Sequence, residues 1–365
     1  MKLFKPFSSD QAAGRLDKYF RKVQAKNPLK PLQVSVYSNK LALDFHYGSA
    51  SQPYHVASIG KVFTAVLIQM LAERGMLSVQ DGILTYFSPQ ELENLFVYQN
   101  VDHASHVTIE HLLGHTSGIA DYFEGIANTS DRGKRKSFID EFLTHPDRHW
   151  TPQELIEYTR SYQSAVGVPG QVFNYSDTGY ILLGLIIERV TGKSFAVNLS
   201  DEIFLPLEMR DSYLMFYSKP VNMPKKDLEK IWMNGREVSR FESLSCDWAG
   251  GGIVSTTADL LAFDLALRNG RLISKKTLET MDNCPHRFRP GIYYGLGMME
   301  IRFKEFFFLL RHLPGIRGHI GILSTHMFYD PVTDAHIVMN FGDNTRMVAS
   351  FKALIEVENT IQRIG

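Results

Sequence analysis

Ser58 and Lys61 stand three residues apart in Ala57-Ser58-Ile59-Gly60-Lys61, at the start of a long apolar stretch. On a helix such positions share a face, so the hydroxyl and the ammonium group can converge at the helix N-terminus. A serine hydroxyl becomes a nucleophile when a neighbouring base takes its proton, and a lysine desolvated by apolar neighbours can be that base. Taken alone, the tetrad reads equally as an N-cap serine with an exposed lysine. Two further runs have the residue types to complete a hydrolytic site. Phe173-Asn174-Tyr175-Ser176-Asp177-Thr178-Gly179 precedes an apolar helix, and a tyrosine facing an ammonium can carry a proton. Gly318-His319-Ile320-Gly321 precedes a strand-like run, where the histidine offers an N–H donor and the glycine lets a substrate approach the backbone.

The elements that must position these residues are legible in outline. LQVSVYSNKLALDFHYG reads as two β-rich runs around a turn at Ser38-Asn39. ASIGKVFTAVLIQMLAERG has apolar residues on nearly every face and ends at Gly75, the pattern of a buried central helix. The middle of the chain is mostly helical in pattern, as in TPQELIEYTRSY, GYILLGLIIERVTG and TADLLAFDLALRNG. The runs FFFLLRHL, GILSTHMFYD and AHIVMNFGD then read as β-rich, and MVASFKALIEVENTIQRIG closes as a helix. The apolar runs Ile181 to Ile187 and Phe306 to Leu310 are too short to span a bilayer and are expected in the core. An α/β (α+β) fold follows, with an antiparallel sheet built from both chain ends and a mainly helical region inserted between them. The expected lobes are 1–75 with 255–365, and 76–254, with the cleft where they meet.

In this order the three runs resemble the motifs of the serine β-lactamase and penicillin-binding-protein family. The likeness is greatest to its class C-like branch, which includes D-Ala-D-Ala carboxypeptidases, D-aminopeptidases and family VIII esterases. HLLGHTSGIADY, PGQVFNYSDTGYILLG, FLPLEMRDSYL, AGGGIVSTTADLLAF and YGLGM fall where the family has its lesser landmarks, so the resemblance covers roughly residues 32 to 345. It implies a β-lactamase/transpeptidase-like fold and a serine hydrolase that needs no cofactor. Ser58 would form an acyl-enzyme, Lys61 would accept its proton, and Tyr175 would assist and protonate the leaving group. His319 would stand where many relatives have lysine, meeting the substrate. The backbone amides of Ser58 and Ile322 would form the oxyanion hole, with Asp177 and Gly321 against the substrate.

Asp177 departs from the family's usual asparagine. An amide can donate to a substrate carbonyl, whereas a carboxylate only accepts, and it favours the ammonium form of Lys61. Asp177 is therefore expected to disfavour anionic substrates and β-lactams while leaving ester or peptide hydrolysis open. The competing reading is a catalytically silent homologue that binds a peptide or partner protein in the same cleft.

Composition narrows the field further. The 365 residues carry 39 Lys+Arg against 39 Asp+Glu, so the basic excess of a nucleic-acid binder is missing, and the expected partner is a small-molecule or peptide acyl donor. Two cysteines without CxxC spacing argue against a disulfide framework. His111 and His115 lie four apart, with His103 and His106 upstream, but no glutamate stands as in H-E-x-x-H, so the histidines are expected to bond backbone and hold no metal. Gly250-Gly251-Gly252 lacks a following G-K-[ST] and is read as backbone held close to the cleft. Tyr54, Tyr122, Tyr293 and Tyr294 are candidate cleft walls. MKLFKPFSSDQAAG has no apolar run of signal-peptide length, which places the chain as written in the cytoplasm, or in the periplasm or outside the cell had a leader been removed. Nothing in the sequence specifies an oligomeric state.

Overall fold

The computed structural model describes residues 6–125, 137–221 and 226–365; the first five residues of the N-terminal reading lie outside these. Eight strands form one antiparallel sheet: β1 (Gln33–Ser38), β2 (Leu43–Tyr47), β3 (His286–Arg289), β4 (Ile292–Tyr294), β5 (Met299–Ile301), β6 (Ile316–Gly321), β7 (Thr325–Asp330) and β8 (Ala335–Asn340). Their spatial order is β3-β4-β5-β6-β7-β8-β1-β2, so the chain's two ends meet where β1 pairs with β8, with Val36 opposite Ile337.

Helices cover both faces. Ile337, Met339 and Phe328 point to one side with α1 (Ser9–Lys26) and the C-terminal helix Met347–Ile361; Val338 and Met327 point to the other, where the rest of the helical structure packs. Burial on both faces is why Ile337, Val338 and Met339 in β8 follow one another with no polar residue between them.

The central helix, α2 (Gly60–Glu73), is buried from Gly60 to Leu71, as its all-round apolar pattern requires. Phe63 stacks on Phe263 with ring centroids 3.8 Å apart. A second buried helix, α3 (Asp177–Thr191), is capped by Ser176, whose Oγ accepts from the Gly179 amide, and stops at Gly192 in the left-handed region. Among the described residues no helix is long and apolar enough to cross a membrane.

One expectation fails here. Phe306 to Leu310 is neither strand nor core: the segment forms short 3-10 turns around Phe303–Glu305 and Phe308–Leu310, and Phe307, Phe308 and Leu309 are exposed. With five bulky apolar residues in a row, no polar position marks which side faces water, so composition could not decide between core and surface.

Candidate active site

Ser58 lies in a 3-10 turn, Ala57–Ile59, that runs directly into α2. Ala57 has φ of 52°, a left-handed conformation that a residue with a Cβ adopts at a cost of about 1 kcal/mol. The strained residue immediately precedes the serine. Lys61, one turn on, is completely buried and its Nζ donates to Ser58 Oγ at 3.1 Å, to the Gly250 carbonyl at 2.8 Å, and to the Asp177 carboxylate. The convergence expected of an i, i+3 pair is present, but its third member is an anion.

Tyr175 and Asp177 arrive on the segment that enters α3. Ser176 holds that segment, its amide donating to His115 Nδ1 at 3.1 Å and its hydroxyl to the Ala120 carbonyl at 2.8 Å. Asp177 is the first residue of α3, where the helix dipole favours negative charge. The Tyr175 ring lies 5.0 Å from Lys61 Nζ and 4.3 Å, centroid to centroid, from His115. Burial pushes the Tyr175 phenol above its ordinary value, against the opposing pull of the Lys61 charge and of hydrogen bonds to Ser58 and Lys61. For Lys61, burial would lower the pKa, but the neighbouring Asp177 carboxylate outweighs it and the net direction is upward. The resting site thus holds an ammonium ion, and not the free amine that the spacing alone invites.

Gly321 closes the other wall. A Cβ there would come within 2.7 Å of the Val56 carbonyl and 2.8 Å of the Ala57 Cβ, so only glycine lets β6 lie against the turn that carries Ser58. Gly321→Ala should cost roughly 1–3 kcal/mol in urea unfolding and slow acylation of Ser58, because the wall must retreat from the serine. The glycine triplet has the same role from the opposite direction: a Cβ on Gly250 would sit 2.8 Å from Asp177 Oδ1, and one on Gly251 2.8 Å from the Ala57 carbonyl carbon.

A cavity with about 230 Å³ of space opens onto these groups. Ser58, Tyr175, Asp177, Gly321 and Ile322 line it, together with Phe288, Ile292, Met299, Ile320, Met347 and Phe351 on the apolar side and Glu124, Asp247, Arg289 and Asn344 among the polar groups. His319 does not line it. The strand alternation that turns Ile320 to one face sends His319 to the other, where it is fully buried. Its Nδ1 donates to the Ile320 carbonyl at 2.8 Å and its Nε2 accepts from the Tyr294 hydroxyl at 3.2 Å. Burial, aided by the Lys61 charge, lowers its pKa to about 3, so it is neutral and offers no cation to a substrate carboxylate. None of the four tyrosines expected as cleft walls lines the cavity either. Tyr54, Tyr122 and Tyr294 are buried, and the Tyr293 hydroxyl donates to Glu305 at 3.0 Å.

Two aspartates that spacing did not single out belong to the site. Asp121 is buried and accepts from the Asp177 amide at 2.8 Å and the Glu124 amide at 2.7 Å. Asp247 lines the cavity with its Oδ2 3.6 Å from His55 Nε2. Burial, and then repulsion from Asp177, raises both to about 7. Burial lowers His55 to about 4, so it brings no charge to Asp247. Asp121 is the penultimate residue of the run HLLGHTSGIADY, so its neighbourhood was visible though its role was not. Nothing around Asp247 carries a comparable signal. The histidines behave as expected, His111 Nδ1 accepting from the Thr108 amide at 3.2 Å and His115 as above. Among the described residues no group of three or more His, Cys, Asp or Glu is disposed to hold a metal ion.

An antiparallel sheet of both chain ends, a buried helix opening on Ser58 and Lys61, and a tyrosine-bearing turn beside them make up the β-lactamase/transpeptidase fold. The chain belongs to the Beta-lactamase family, whose model matches residues 36–354. It is 29% identical over 285 residues to Penicillin-binding protein 4* of Bacillus subtilis (strain 168), covering 73% of this chain and 56% of that one. Putative penicillin-binding protein PbpX of the same strain is 27% identical, with 67% and 52% covered, so the chain spans about half the length of these curated relatives. In three dimensions the chain is similar to D-amino acid amidase from Ochrobactrum anthropi SV3 complexed with D-phenylalanine. That match has a TM-score of 0.76 at 22% identity and covers 98% of this chain and 99% of that one.

Proposed function

We propose that the protein is a serine hydrolase that forms an acyl-enzyme on Ser58 and cleaves an amide or ester bond. The observation that carries this reading is the Ser58 hydroxyl, bonded at 3.1 Å to a completely buried Lys61 and open to a cavity of substrate size. In the forward step the Ser58 oxygen attacks the substrate carbonyl carbon while Tyr175, a neutral phenol at rest, passes its own hydroxyl proton to the departing nitrogen or oxygen as that bond breaks and takes the Ser58 proton in its place. Lys61, held as a cation by Asp177, would stabilise negative charge as it develops on Tyr175, and the Ser58 and Ile322 amides would receive the carbonyl oxygen. His319 acts behind Tyr294 as a positioning residue.

The cavity's two sides narrow the substrate. Phe288, Ile292, Met299 and Phe351 suit an apolar acyl or leaving group, while Asp177, Asp247 and Glu124 outnumber Arg289 in the lining and oppose an anionic one. The reading is therefore an uncharged or amine-bearing acyl donor, a small ester or an amino-acid amide, rather than a penicillin.

Asp177→Asn tests this division. It removes the charge that holds Lys61 protonated, so kcat/KM on nitrocefin should rise about tenfold or more at neutral pH, with a smaller change on a p-nitrophenyl ester. No gain on nitrocefin would overturn the assigned role of Asp177. The enzyme reading itself is tested by intact mass after incubation with a fluorophosphonate and with an activated ester. An adduct of one acyl or phosphonyl group is expected. A folded chain that captures neither probe is instead a silent homologue, a reading that the Lys61–Asp177 pair would then explain.

A further inference from the structure

The connection between β5 and β6 carries Phe307, Phe308 and Leu309 on its outside, with 52%, 65% and 56% of their surfaces exposed. Single exposed apolar residues are ordinary on a protein surface, whereas three in succession form a patch. The patch is held outward. The Leu310 amide donates to the Phe307 carbonyl at 2.8 Å, and the His312 ring bridges the Leu309 carbonyl and the Asn359 side chain at 2.9 Å each. At its root Phe306 packs edge-on against Phe351, centroids 5.7 Å apart, and lies over Gly291 in the β3–β4 turn.

Cations flank the patch. Lys304 and Arg311 bracket it in the chain, and Arg287 and Arg289 lie on edge strand β3, whose turn at Gly291 is covered by Phe306; all four are exposed and none is in an ion pair among the described residues. The nearby carboxylate, Glu305, is engaged by the Tyr293 hydroxyl. We propose that the Phe307-Phe308-Leu309 tip is a docking surface for an anionic phospholipid bilayer. An exposed apolar tip flanked by unpaired cations matches an interface that is fluid, apolar below and negative above, and it requires no complementary groove in a partner. Phe351 and Arg289 also line the cavity that opens on Ser58, so docking brings the cavity mouth close to the lipid surface.

Flotation of the 365-residue chain with vesicles tests the assignment. Binding is expected to vesicles of equal phosphatidylglycerol and phosphatidylcholine, to weaken in high salt, and to be slight on phosphatidylcholine alone. Combined Phe307→Ser, Phe308→Ser and Leu309→Ser should reduce binding by roughly tenfold or more, as should Lys304→Glu with Arg311→Glu. Hydrolysis of a soluble ester by either variant should be unchanged, because none of these side chains lines the cavity. Failure of the wild type to float with anionic vesicles, or equal flotation of both variants, would overturn the proposal. So would a dimer in sedimentation that the triple-serine variant converts to monomer, which would assign the tip to a second copy of the chain.

Discussion

Ser58→Ala should abolish covalent capture of a fluorophosphonate and lower kcat/KM on an activated ester by about 10⁴-fold, leaving the fold intact. The hydroxyl is the one group in the cavity whose removal deletes the bond-forming atom itself. The surrounding structure has little reason to respond. Ser58 Oγ is bonded to Lys61 and Tyr175; when that oxygen is gone Lys61 keeps its bonds to Gly250 and Asp177, and Tyr175 keeps its bond to Lys61. Urea midpoints of wild type and variant should therefore agree closely while activity collapses. Residual turnover within a hundredfold of wild type would refute Ser58 as nucleophile, because amides and cavity alone support far less than the full machinery.

Lys61 behaves differently, and the structure reverses what its spacing alone would predict. A base removed from a cleft costs activity and nothing else, but Lys61 is also the cation inside a group of carboxylates: Asp177 in direct contact, with Asp121 and Asp247 behind it. Lys61→Met leaves Asp177 partly buried without its partner and should destabilise the fold by about 3–5 kcal/mol. Adding Asp177→Asn should restore most of that loss, since the pair is then removed together rather than broken. The penalty should also depend on pH. Asp121 and Asp247, with pKa values raised to about 7 by burial, stabilise the fold most where they are protonated and lose that contribution as pH rises toward 7. Lys61→Met should accordingly be most damaging at pH 8 and milder at pH 5. Equal loss at both pH values, or no rescue by Asp177→Asn, would show that the carboxylates do not depend on Lys61. Acylation should be lost in Lys61→Met and should stay lost in the rescued double variant, which separates the stabilising role from the chemical one.

These two substitutions also mark how far the sequence reaches. The convergence of Ser58 and Lys61 is a property of one helical turn, so spacing predicts it and the structure agrees. The strand runs at both ends likewise imply a sheet shared by the termini, because alternation and β-branched composition are local signals. The turn holding Tyr175 could be placed before its helix, which Ser176 caps and Asp177 begins.

Other features depend on contacts between residues far apart in the chain. His319 stands two residues before Gly321, and spacing alone cannot tell whether its ring reaches the cavity; in the fold it is buried with its Nε2 on the Tyr294 hydroxyl. Phe306 to Leu310 is as apolar as any core strand, and only the path of the β5–β6 connection leaves its tip in water. Asp247 is 70 residues from Asp177 and 186 from Lys61 in the numbering, and no local pattern links them. The sequence by itself determined the family of chemistry, through a serine, a lysine and a tyrosine in order. Tertiary structure alone decided the charge state of Lys61, because its burial and the approach of the Asp177 carboxylate bring together segments far apart in the chain.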